Sequence, residues 1–182
     1  VSSTGTPYYS SAWSVYTPDG KFKPREIVSG VKGYFAPSGI CMTDDDRIVF
    51  AETDELVLLD PVGCKVDKFS LKGYAPEGLK CGPGGIIDVA AASGRIFVAD
   101  VSGKRVLVFA VSGAFEKSID LPGIPGGLAA MGDMLYVSLT DHHVVGGVDL
   151  AGDGRFRVLA GLWNFPGHGD GKGFDVFLNR PI

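Results

Sequence analysis

The residues best equipped for chemistry are three histidines, three cysteines and a few clustered carboxylates. His142 and His143 are adjacent, and imidazole is both a common metal ligand and the side chain that titrates nearest neutrality. On a regular strand, successive side chains leave on opposite faces, so this pair cannot converge on one ion. A polar turn suits them better, with a structural role. His168 sits in Gly167-His-Gly-Asp-Gly171, where the glycines suit a tight irregular loop. That stretch lacks the Gly-Lys-Ser/Thr and following helix of a phosphate cradle. Asp44-Asp45-Asp46 offers the oxygens that calcium takes, without the alternation, central glycine and terminal glutamate of a calcium loop. It reads as a solvated turn. Cys41, Cys64 and Cys81 have no CxxC spacing and no neighbouring histidine, which argues against zinc. A Cys64–Cys81 bridge stays open and would leave Cys41 over. No Gly-x-Ser-x-Gly elbow is present. These motifs assign no catalytic, cofactor-binding or metal-binding residue.

The composition indicates what must position such groups. The chain has 182 residues, 45% of them apolar, with a mean hydropathy of +0.19, which excludes a wholly disordered polymer. No run of 18 apolar residues occurs, so no membrane-spanning helix is expected, and the chain is expected to be soluble. Seventeen Lys+Arg face 21 Asp+Glu, and the deficit is even: 9 against 11 over residues 1–80, then 8 against 10 over 81–182. Neither half has the basic footprint of a nucleic-acid binder. The 27 Gly and 11 Pro, without any collagen period, point to many short strands joined by tight turns.

Those strands repeat. Pro37-Ser-Gly-Ile40 leads through an acidic turn to Arg47-Ile-Val-Phe-Ala51, then Leu56-Val-Leu-Leu-Asp60 and Lys65 to Leu71. Pro83-Gly-Gly-Ile86 leads to Arg95-Ile-Phe-Val-Ala-Asp100, Arg105-Val-Leu-Val-Phe109 and Ala114 to Leu121. Pro125-Gly-Gly-Leu128 leads to Met134-Leu-Tyr-Val-Ser138, a stretch through Val144 and Val148, and Arg155 to Leu159. Turn glycines Gly20, Gly63, Gly113 and Gly154 are spaced by 43, 50 and 41 residues. A period in the forties carrying four short strands is the mark of propeller blades. A β-sandwich would also show regular turns, but not the same word order in every copy. Ile40, Ile86 and Leu128 are expected to open equivalent innermost strands, with Ile96/Val98 and Leu135/Val137 on equivalent second strands.

The copies resemble NHL repeats. The best match is Pro83 to Leu121, with Ile96-Phe-Val-Ala-Asp100, Lys104-Arg105-Val and Val108-Phe109. The first copy departs at Glu52 and Leu56, and the third at Ser138-Leu139 and His142-His143. The tail from Leu159 through Gly167–Gly171 to Phe177-Leu-Asn179-Arg-Pro181 is similar to the family's inter-blade linker. The resemblance implies an all-β fold: a β-propeller segment of four-stranded antiparallel NHL-type blades forming an incomplete ring. Within a single segment spanning 1–182, residues 12–36 would hold the outer half of a blade plus linker, with strands near 12–16 and 26–28. Blades would follow at 37–82, 83–124 and 125–160, and 161–182 would lead into a missing blade.

About three and a half blades cannot close a ring, and two apolar faces would be left open. The expected function is a non-catalytic protein-binding or scaffold module that docks to other chains in a larger protein or assembly. Its partner would be another protein or the remaining blades of the same polypeptide, with closure as a homodimer an alternative. No cofactor is expected. The rival reading is part of a six-bladed propeller enzyme, lyase or lactonase-like, with calcium or zinc in the central channel. Of the inner-strand residues Gly39 to Met42, Gly85 to Val89 and Gly127 to Met131, only Asp88 is a carboxylate, and none is a histidine.

Overall fold

A computed structural model describes residues 9–10, 15–16, 38–52, 55–60, 65–71, 73–74 and 85–182. The second and third strands of the first two blades are runs of five or six residues rich in Val, Ile, Leu and Phe, side chains that suit a pleated, half-buried surface. A two-residue pair, β1 (Tyr9–Ser10) and β2 (Val15–Tyr16), comes first. Blade 1 holds β3 (Ser38–Met42), β4 (Ile48–Glu52), β5 (Glu55–Asp60) and β6 (Lys65–Ser70). Blade 2 holds β7 (Ile86–Ala92), β8 (Arg95–Asp100), β9 (Arg105–Ala110) and β10 (Phe115–Asp120). Blade 3 holds β11 (Pro125–Met131), β12 (Met134–Leu139), β13 (Val144–Asp149) and β14 (Phe156–Ala160). Each blade is an antiparallel meander in chain order, and one 3-10 turn (Gly173–Asp175) follows in the tail. No helix among the described residues is long and apolar enough to cross a membrane.

The blades stack with their first strands side by side, β3 against β7 and β7 against β11. Alternation divides each second and third strand between two neighbours. Val49, Ala51, Leu56 and Leu58 of blade 1 meet Val89, Ile96, Val98, Leu107 and Phe109 of blade 2. The other face of blade 2, with Phe97, Val106 and Val108, meets Leu135, Val137, Val144 and Val148 of blade 3. The expected second-strand pairs Ile96/Val98 and Leu135/Val137 therefore occupy equivalent buried positions. The turns also connect: the Gly94 N–H donates to Asp44 Oδ2 at 3.0 Å, and the Ser93 hydroxyl donates to the Gly132 carbonyl at 3.2 Å.

Three expectations need restating. Ile86 is not the counterpart of Ile40 and Leu128, because each first strand bulges where it starts. After the bulge Ile40 pairs with Phe50, Val89 with Val98 and Leu128 with Val137, so Val89 takes the place foreseen for Ile86. The partial blade at 12–36 falls mostly outside the described residues, as do Cys64 and Cys81; within them β2 pairs with β1. The apolar faces at the two ends also differ. On blade 1 the face turned away from blade 2 is shut, with Ile48, Val57 and Leu59 at 0% exposure and Phe50 at 3%. On blade 3 the face turned away from blade 2 is open, with Met131 70% exposed and Leu159 44%.

Candidate functional site

The post-bulge register sets three residues at one level of adjacent inner strands: Gly39, Asp88 and Gly127. Only blade 2 projects a side chain there. A Cβ on Gly39 would lie 2.3 Å from Asp88 Oδ1, and Gly39 has φ +66°, so glycine is required twice over. The Asp88 carboxylate ties blades 2 and 3: Oδ1 accepts the Val89 N–H at 2.8 Å, and Oδ2 accepts the Leu128 N–H at 2.7 Å. Burial raises the Asp88 pKa above the usual carboxylate value, and these two N–H donors offset part of that rise. Beside it the Cys41 thiol is pushed up to about 12, by burial first and by the charge of Asp88 second. Such a thiol stays protonated at neutral pH and is a poor nucleophile.

Asp88 forms one wall of a cleft of about 260 Å³ in the open face of blade 3. Leu128, Tyr136, Ser138, Val145 and Ile182 are among its other walls. The cleft arises from a change in side-chain type at conserved register. Toward its next neighbour blade 2 presents the cross-strand pairs Phe97/Val108 and Ala99/Val106, whereas blade 3 presents Tyr136/Gly147 and Ser138/Val145. A hydroxyl replaces a methyl hydrogen at Ser138, and its oxygen accepts the Gly127 N–H at 2.8 Å. The sequence singled out Asp88 but not Ser138 or Tyr136. Their departure from the Ala-Asp and Phe of blade 2 was the available signal.

The histidine pair is engaged by the tail. His142 stacks on Trp163 with ring centroids 4.0 Å apart, its Nδ1 2.6 Å from Asn164 Oδ1 and its Nε2 3.1 Å from the Pro122 carbonyl. His143 Nδ1 accepts the Arg180 N–H at 3.1 Å. The two rings thus hold the beginning and end of the 161–182 segment. His168 lies in the intervening loop, 3.4 Å from Asn179 Nδ2, where Gly169 bridges Phe177. The acidic turn is likewise committed: Asp44 receives Gly94, and the Thr43 hydroxyl and Arg47 guanidinium hold Asp45 below its ordinary pKa. Asp100 is fully buried and accepts from Ser102 Oγ, the Gly103 N–H and Arg105 Nε at 3.0, 2.9 and 2.8 Å, fixing the turn after β8. Among the described residues, no three His, Cys, Asp or Glu side chains converge on a point where a metal could sit.

No family model matches the chain, and no curated protein does. Solved structures do. A virginiamycin B lyase from Staphylococcus aureus superposes with a TM-score of 0.67 at 15% identity, over 86% of this chain and 52% of that one. A protein of unknown function from Bacteroides thetaiotaomicron gives 0.70 at 15%, over 97% and 47%. An auxiliary nutrient binding protein from Bacteroides ovatus gives 0.65 at 15%, over 94% and 42%. The chain spans about half the length of these structures, and at such identities the likeness is one of fold. Three stacked four-stranded meanders of matching register, in an unclosed ring, make this chain a segment of a β-propeller.

Proposed function

We propose that the chain is a non-catalytic binding or scaffold module, an NHL-type propeller part that docks to another protein through the outward face of blade 3. One observation carries this reading: the corresponding end of blade 1 is shut, while blade 3 presents Met131, Met134, Tyr136, Val145 and Leu159 in a surface that continues two existing inter-blade interfaces. Propeller blades bury both broad sides, and contiguous apolar surface on a soluble protein marks an interaction site. The inner strands of three blades carry one carboxylate between them, which favours binding over the enzyme reading. The solved structures of similar fold include a lyase and a nutrient binding protein, and fold alone does not choose between such roles.

Light scattering and a hydrophobic dye test the reading. The unaltered chain should bind dye and associate with itself or with a protein partner. A Met131→Lys, Leu159→Lys double variant should lose both behaviours while keeping its strand content, since both side chains are exposed. A monomer that binds no dye before any substitution would overturn the proposal.

A further inference from the structure

The cleft over Asp88 has the chemistry of a receptor for one cationic side chain. Its volume of about 260 Å³ is below the roughly 300–1,000 Å³ of small-molecule pockets, and suits a single long side chain. At its base each Asp88 oxygen accepts one N–H, from Val89 or Leu128. An ionised carboxylate has about four acceptor positions, so lone pairs remain toward the cleft. Among the described residues no Lys, Arg or His lies within bonding distance of this carboxylate. Its walls are largely apolar, through Leu128, Ala129, Val137 and Val145, with the Tyr136 ring at one side. A half-buried charge without a counter-charge is costly, and an incoming cation in such surroundings is attracted more strongly than in water. The aliphatic stem of Lys or Arg would cover the apolar walls while its head reached Asp88. Ser138 adds direction: its oxygen already accepts the Gly127 N–H, so its own proton is free to donate. Gly127 adds no side chain to the cleft, and the Ile182 backbone forms the rim on that side, its carbonyl carbon 2.9 Å from where a Gly127 Cβ would sit.

We infer that the protein docked on blade 3 inserts a lysine or arginine side chain into this cleft and pairs it with Asp88. This rests on the docking reading above and specifies the partner's chemistry: an apolar surface bearing one projecting cation. The probes are n-butylammonium and n-propylguanidinium, which reproduce the ends of the two side chains, with butan-1-ol as the neutral control. Each is titrated into the unaltered chain while the amide resonances of Leu128, Ser138 and Val145 are followed. Both cations should give saturable shifts at these amides, and butan-1-ol should give none at equal concentration. Asp88→Asn should weaken the cations at least tenfold. Equal shifts from the alcohol, or none from either cation, overturn the inference in the unaltered chain, whether or not the variant folds. The two readings fail separately. Loss of dye binding and association with amine binding intact counts against docking alone. Association without amine binding overturns the cation site alone.

Discussion

Asp100 and Asp88 are both carboxylates on blade 2, yet they are partnered to different degrees. Asp100 is enclosed and fully partnered by Ser102, Gly103 and Arg105, so removing it takes away the shared acceptor of the turn after β8. Asp100→Ala should cost about 1–3 kcal/mol, read from the urea midpoint, because three hydrogen bonds that fix the turn, one of them to a charged group, are lost together. Asp88 is less completely partnered, and its folded pKa is raised by burial. The folded state then holds its proton more tightly than the unfolded state. The resulting stability is present below the unfolded value of about 3.9 and is lost as pH rises through the raised folded value. Asp45, lowered chiefly by the Thr43 hydroxyl and next by Arg47, behaves oppositely: its contribution is present above that value and is lost as pH falls. Urea midpoints measured upward from about pH 4 should therefore slope downward less in Asp88→Asn than in the unaltered chain, while Asp45→Asn should change only the acid limb. An unchanged slope in Asp88→Asn would contradict the burial argument. The sequence marked Asp88 as the one carboxylate of the inner strands. Its grip on Leu128 was hidden because that bond depends on two bulges that no local pattern announces.

At the scale of strands and turns, the legible part was the alternation. Ile96 and Val98 fall on one side of β8 and Phe97 on the other, as period two requires, and all three are buried because a blade has neighbours on both sides. Ile96→Ala should cost about 2–5 kcal/mol, against less than about 1 kcal/mol for Lys104→Ala on the exposed turn, by chemical denaturation. The glycines of positive φ divide in a way the sequence does not show. Gly39 and Gly94 both hold positive φ, at +66° and +71°, so either alanine variant incurs a backbone penalty of about 1–2 kcal/mol. At Gly94 a Cβ would meet nothing within 4 Å, whereas at Gly39 it would strike Asp88. Gly39→Ala should therefore lower the midpoint clearly more than Gly94→Ala. Equal effects would mean that the Gly39–Asp88 approach is looser than described. The fold was readable from repeated words, but the cleft was not. It depends on which blade breaks the pattern, and a departure from a repeat looks like drift until the register is known.

For the whole molecule, the difference between its two ends sets a direction. An arc with two equivalent sticky ends could add copies head to tail without limit, as a helical fibre does. Here Ile48, Phe50, Val57 and Leu59 are already enclosed, so a second copy cannot seat its blade 1 on the first copy's blade 3. Self-association through blade 3 is then expected to be isologous, the same patch meeting itself across a two-fold axis and complete at two. Sedimentation at rising concentration should show monomer and dimer with nothing larger, and a ladder of higher species would mean that the enclosed end opens. If blade 3 docks as proposed, the shut face of blade 1 acts as a chain terminator in the polymer sense, and growth stops at the pair.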